Sequence, residues 1–263
     1  MRLGLWALGF GKPEPKARDY HPVVLVLALD TTTSTGSCAL ARDGRIVSEQ
    51  VNDAPNAHAE HLPGDLMSLL DRASTRLADI DVFAVATGPG SFTGLRIGIA
   101  TMQGLAFAEE KPLVGVSGFD ALLRIADDLA RRSPQPKAGH VATWVDAWRG
   151  EVFAALYENG REVDAPVVNR PQTLLESLRE ANREGSRSTL FIGDGARAHA
   201  GMIREMLGET ARIAEPPAPP LAGVIAIIAG ELSISGEHAP HSIRPLYVRR
   251  TDAELARDAR ALR

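Results

Sequence analysis

Residues 23–30, Val-Val-Leu-Val-Leu-Ala-Leu-Asp, are apolar without a break until Asp30. That is the pattern of a strand buried on both faces. A loop with Gly36 leads to a second apolar run at 37–41. Asp43-Gly44 then supplies a hairpin turn, because glycine takes positive φ without steric cost, and 46–51 reads as a third strand. The plan recurs with Asp146 standing 116 positions after Asp30. Residues 141–146 form a strand ending in Asp146, 151–157 a second, and 162–168 a third beyond the turn at Asn159-Gly160. In each half a helix follows. Leu62, Leu66, Leu69 and Leu70 recur at helical spacing over 58–72, and Leu174, Leu175 and Leu178 over 171–182. Each helix leads to a strand and a glycine loop, Gly88-Pro89-Gly90 after 82–87 and Gly193-Asp194-Gly195 after 189–192. Each loop opens another helix, over 91–109 and over 196–207. A strand at 112–116 and a helix at 119–131 complete the first half, with weaker counterparts at 211–214 and 221–232.

A β-β-β-α-β-α order in each half predicts two mixed sheets flanked by helices. The Pro-containing stretch 133–139 is the natural boundary. The expected organisation is an N-terminal lobe over 23–132, a C-terminal lobe over 140–235 and a basic tail over 236–263. Residues 1–22 carry three prolines in their polar second half and lack a cleavage-site pattern, so a poorly ordered extension is expected there. The duplicated plan resembles the α/β actin-like (ASKHA) fold class, in which each lobe is a ribonuclease-H-like unit.

Composition narrows the function classes. The chain has 263 residues, 44% apolar and 24% charged, with a formal net charge of −4. This is a globular balance, not that of a chain built to wrap nucleic acid by itself. No run approaches 18 apolar residues, so no membrane span is expected. Cys38 is the single cysteine. It excludes an internal disulfide and multi-cysteine zinc sites, and favours a reducing, cytoplasmic location.

Candidate chemistry is sparse. The loop of Gly88, Gly90 and Ser91 precedes a helix, where free N–H groups attract phosphate. It matches neither the P-loop nor the dinucleotide pattern, and Ser91 also suits a helix N-cap. Asp30 and Asp146 stand at equivalent strand ends, where the resemblance to the actin-like class implies metal–nucleotide contacts and where an Asp also commonly forms a turn. Gly94, Gly98 and Gly104 in one helix each forfeit about 1 kcal/mol relative to alanine, so a close approach by this chain or by a partner is expected. His58 and His61 lack evident further metal ligands. Over 244–263 six arginines face Asp252, Glu254 and Asp258, a formal +3 that suits RNA phosphates, an acidic partner or a solvated end.

The segment Gly88-Pro-Gly-Ser-Phe-Thr-Gly-Leu-Arg-Ile-Gly98 closely resembles the signature of the bacterial TsaB family, formerly YeaZ, of the glycoprotease-like group. Leu29-Asp-Thr-Thr-Thr33, His58-Ala-Glu-His-Leu-Pro63, Pro112-Leu-Val-Gly-Val-Ser117 and Arg244-Pro-Leu-Tyr-Val-Arg249 fall in that family's order. The match is strong over 24–120, patchy over 140–250, and does not cover 1–22. His61 is a departure, since the family more often has Arg there. The resemblance implies a non-catalytic subunit that pairs with a TsaD catalytic subunit and is joined by the ATPase TsaE. The assembly transfers threonylcarbamoyl from threonylcarbamoyl-AMP to N6 of the anticodon-adjacent adenosine of tRNAs reading ANN codons. No cofactor is then expected on this chain, with ATP and a metal ion on the partners and tRNA met through the complex. The implied interface is His58, Leu62, Leu66, Gly94, Leu95, Gly98, Thr101, Met102 and Leu105, which would also serve a homodimer through the same helices. The alternative is a stand-alone actin-like ATPase or phosphotransferase.

Overall fold

The computed structural model describes residues 24–51, 58–181, 187–233 and 239–248. The expected extension over 1–22 and the end of the basic tail lie outside the described residues.

The first sheet begins as an antiparallel meander of β1 (Leu25–Asp30), β2 (Ser37–Arg42) and β3 (Arg45–Val51). Helix α1 (His58–Arg72) crosses to β4 (Val82–Ala86), parallel to β1, and α2 (Phe92–Ala108) crosses to β5 (Leu113–Val116), parallel to β4. The strand order is β3-β2-β1-β4-β5. After α3 (Gly118–Arg132) the second sheet repeats the plan with β6 (His140–Asp146), β7 (Val152–Glu158), β8 (Arg161–Glu162) and β9 (Val167–Asn169). Then come α4 (Pro171–Ala181), β10 (Thr189–Ile192), α5 (Asp194–Ala198), α6 (Ala200–Leu207), β11 (Ala211–Ile213) and α7 (Ala222–Ser233). Its order is β11-β10-β6-β7-β8, with β9 also paired to β7.

Two expectations need correction. The strand read over 162–168 is two short pieces, because Pro166 offers no N–H to the ladder and the chain leaves β7 between them. The helix read over 196–207 starts at Asp194 and turns at His199, whose φ of −109° and ψ of 18° leave the helical well. The turn keeps Gly195 against the backbone of Trp144 and Val145 while Ile203 reaches the core.

Side-chain alternation decides the layers. Leu25, Leu27 and Leu29 of β1 point outward with Leu40, Phe83 and Val85, and α1 and α2 cover them with Leu66, Leu69, Leu95 and Met102. The inner face carries Ala28, Ala39, Ala41 and Ala84. These small residues let α7 lie close on the sheet, touching all five strands. Helix α7 comes from the second half of the chain, and α3 from the first half lies against β6 and β10. The two helices therefore fill the space between the sheets, joined by a bidentate Arg124–Glu231 pair at 2.9 and 3.0 Å. The N-terminus of α7 is held by the first lobe, since Ala222 N–H donates to Ser37 Oγ and Gly223 N–H to Glu49 Oε1 at 2.8 Å. On the far side α4, α5 and α6 cover the second sheet around Trp144 and Phe191, packed edge to face at 5.2 Å.

Part of the expected tail is packed. Residues 239–248 run back along the first lobe, with Ile243 against Gly115 and Val248 on the inner core. Leu246 N–H donates to Thr87 O at 2.7 Å, and Gln103 Nε2–H to Pro240 O at 2.9 Å.

Candidate functional site

The carboxyl ends of β1, β4, β6 and β10 converge between the lobes, bringing Asp30, the Gly88–Ser91 loop, Asp146 and Asp194 to one region. Asp30 is fully buried. Its Oδ1 accepts from Thr32 N–H at 2.8 Å and Thr32 Oγ1–H at 2.6 Å, and its Oδ2 from Thr33 Oγ1–H at 2.6 Å. Burial pushes its pKa up, against the lowering effect of these bonds. Asp146 Oδ1 accepts from Trp148 N–H at 3.0 Å, closing the turn into β7. Both carboxylates thus organise their own loops.

Asp194 is the residue that sequence reasoning missed. Its Oδ1 accepts from Asp146 N–H at 2.9 Å and its Oδ2 from Ser34 N–H at 3.1 Å, so one buried side chain ties the two lobes together. The only signal was its place in Gly193-Asp194-Gly195, opposite the first glycine loop. The cleft beside it, lined by Thr33, Thr35, Gly193, Asp194, Pro219 and Leu221, has a volume of about 10 Å³. That is room for about one water. Ligand clefts reach hundreds of Å³.

The first glycine loop is stitched to the chain itself. Ser91 N–H donates to Thr32 O at 2.8 Å, and Gly118 N–H to Gly88 O at 2.8 Å. Ser91 Oγ caps α2 by accepting from Gly94 N–H at 3.1 Å. The glycines follow from this contact. A Cβ on Gly90 or Gly94 would lie well under 3.0 Å from the carbonyl oxygen of Thr32 or Thr31, and one on Gly98 would meet Thr31 Oγ1. That hydroxyl donates to Gly94 O at 2.7 Å. At Gly94 and Gly98 the close approach left open by the sequence is therefore made by Thr31 of this chain, whereas nothing of this chain approaches Gly104.

The expected interface residues sort accordingly. Leu62, Leu66, Gly94, Leu95, Gly98 and Met102 are buried under the chain's own core, and Thr101 and Leu105 are half-buried. His58 starts α1, but its side chain lies outside the described residues. Exposed on the pair α1–α2 are Pro63, Gly64 and Met67, followed by the charged Asp71 and Arg72, and Ala100, Gly104 and Phe107, with Arg96 one turn before Ala100. Phe107 is 81% exposed and Met67 53%. Pro63, Gly64 and Met67 follow at helical spacing on α1, as Ala100, Gly104 and Phe107 do on α2, so each helix exposes a short apolar stripe. Among the described residues no three of His, Cys, Asp or Glu gather as a metal site, and no helix is long and apolar enough to cross a membrane.

The duplicated lobes, with α3 and α7 layered between their sheets, define a two-lobed protein of the actin-like class. Component A of (R)-2-hydroxyglutaryl-CoA dehydratase from Acidaminococcus fermentans shares this fold, with a TM-score of 0.50 at 12% identity over 81% of this chain and all of that one. YeaZ from Pseudomonas aeruginosa superposes with a TM-score of 0.65 at 28% identity, covering 85% of this chain and 99% of that one. A family model described as TsaD: tRNA N6-adenosine threonylcarbamoyltransferase matches residues 44–257. The tRNA threonylcarbamoyladenosine biosynthesis protein TsaB of Escherichia coli is 32% identical over 235 residues, 85% of this chain and 94% of that protein. The chain belongs to the TsaB family, within the wider group that the transferase model describes.

Proposed function

We propose that this chain is a non-catalytic subunit in the synthesis of threonylcarbamoyladenosine on tRNA, and that it pairs with a TsaD-like transferase through the outer face of α1 and α2. The observation that carries the reading is the exposure of Met67 on α1 and of Ala100, Gly104 and Phe107 at helical spacing on α2. Leaving such a face in water is unfavourable, and burying it against a partner is the usual remedy. The family model that matches this chain is the transferase's own. The two subunits are then related by descent, and like faces can pair about a pseudo-twofold axis. The cleft supports the same reading, because the carboxylates of Asp30, Asp146 and Asp194 are all engaged by donors of this chain. A TsaE-like ATPase, ATP and a metal ion would belong to the assembly beyond this chain.

The test is copurification of the tagged chain with the transferase, together with mass spectrometry of tRNA nucleosides after depletion of the chain. Met67→Asp with Phe107→Asp should abolish copurification while leaving the thermal midpoint nearly unchanged, because both side chains are exposed. Depletion should lower threonylcarbamoyladenosine. Retained copurification, with the nucleoside unchanged, sinks the reading. Stoichiometric Mg-ATP binding by the isolated chain would favour the ATPase alternative. A homodimer broken by the same two substitutions would show that two copies compete for the face.

A further inference from the structure

The packed segment 239–248 ends beside the start of α2 and builds a second surface there. Tyr247 and Phe92 stand with ring centroids 5.8 Å apart and planes tilted by 40°. The rings are 49% and 44% exposed, and Leu246 beside them is also exposed. The Arg96 guanidinium sits 3.9 Å from the Phe92 ring centroid. The position of Tyr247 is set by the backbone, through the Leu246–Thr87 and Gln103–Pro240 hydrogen bonds and the burial of Ile243. The described segments that carry the rings have charge of one sign. Residues 88–108 and 239–248 contain no Asp or Glu, but they contain Arg96 and Arg244, in a chain of net charge −4. Arg96 and Arg244 are exposed.

We propose that Phe92 and Tyr247 form a stacking platform for unpaired bases of RNA, with Arg96 and Arg244 contacting the adjoining phosphates. Exposed aromatic rings interleaved with arginine, without carboxylates, are the chemistry that holds single-stranded RNA. Stacking needs only a π-face, and arginine supplies the phosphate contacts. The platform is separate from the pairing face, since Phe92 and Phe107 lie roughly 22 Å apart along α2. The choice of tRNA as the RNA rests on the function proposed above; the platform itself rests on the patch.

The experiment measures binding of a fluorescent tRNA transcript to the full chain and to its copurified complex by anisotropy, with ultraviolet cross-linking mapped by mass spectrometry. Cross-links are expected at Phe92 or Tyr247. Phe92→Ala with Tyr247→Ala should weaken binding about ten-fold or more. Phe92→Tyr with Tyr247→Phe, which keeps both rings, should bind as the parent does, and an unchanged thermal midpoint confirms that each variant is folded. Unchanged affinity in the alanine pair, or no tRNA binding by either chain or complex, overturns the proposal. So does loss of transferase copurification with tRNA affinity intact, which would make the patch a protein contact. If the alanine pair loses RNA binding while depletion leaves threonylcarbamoyladenosine unchanged, the platform stands and the proposed pathway falls.

Discussion

Three glycines in α2 should respond to alanine in opposite ways. In an exposed helix interior, Gly→Ala gains about 1 kcal/mol from backbone propensity. At Gly104 a Cβ would meet nothing within 4 Å, so Gly104→Ala should be stabilising by up to that amount. At Gly94 the methyl would lie far inside contact distance of Thr31 O, a backbone atom that cannot rotate away. To admit it, α2 must move off the loop after β1. That move strains the packing by about 1–3 kcal/mol. It also weakens the Thr31 Oγ1–Gly94 O and Ser91 N–Thr32 O hydrogen bonds, at about 1 kcal/mol each. Net of propensity, Gly94→Ala should lose about 2–4 kcal/mol, or roughly 5–15 °C in midpoint for a chain of this size. Gly98→Ala differs in kind, because its clash is with the Thr31 side chain. Thr31→Ala should relieve Gly98→Ala but not Gly94→Ala, so a double-mutant cycle separates the two. Circular dichroism melts of the set decide the matter. If Gly94→Ala is as stable as the parent, the close approach of α2 to Thr31 is not the reason for the glycine.

Three further outcomes are expected. The raised pKa of Asp30 means that the folded chain holds this proton to higher pH than the unfolded chain, so stability should fall as pH rises from near 3.8 through the raised value; Asp30→Asn should make that slope shallower in urea titrations. Burial pushes the Cys38 thiol up to about 12, so iodoacetamide at pH 8 should leave it unlabelled in the native chain and label it in urea, read by mass spectrometry. Asp194→Ala strands the N–H groups of Ser34 and Asp146, and should lower stability by about 2–4 kcal/mol in chemical denaturation, whereas a drop under 1 kcal/mol would mean that the lobes are held together without it.

Much of the architecture was legible in local pattern. The turns at Asp43-Gly44 and Asn159-Gly160 adopt positive φ at all four residues, as their dipeptides required. The helical leucines of α1 and the unbroken apolar run of β1 stand where their periods placed them. What escaped was the break at His199 and the division at Pro166, where the path depends on which neighbours must be reached. The candidate site was legible only in part. The glycine spacing announced a close approach, but the identity of the approaching group, the Thr31 backbone 63 positions earlier, is not a local property.

By itself the sequence determined the element order, the duplication of the lobes and the family signature, because hydrophobic period and turn chemistry act over neighbouring residues. Only the tertiary structure decided that α7 lies on the first sheet and α3 on the second, that Asp194 ties Ser34 to Asp146, and which apolar residues of α1 and α2 are buried and which stay exposed. The physical reason is that burial and hydrogen-bond saturation are sums over everything packed around a group. Leu95 and Phe107 are alike as apolar helix positions, and they differ only in what the rest of the chain lays over them.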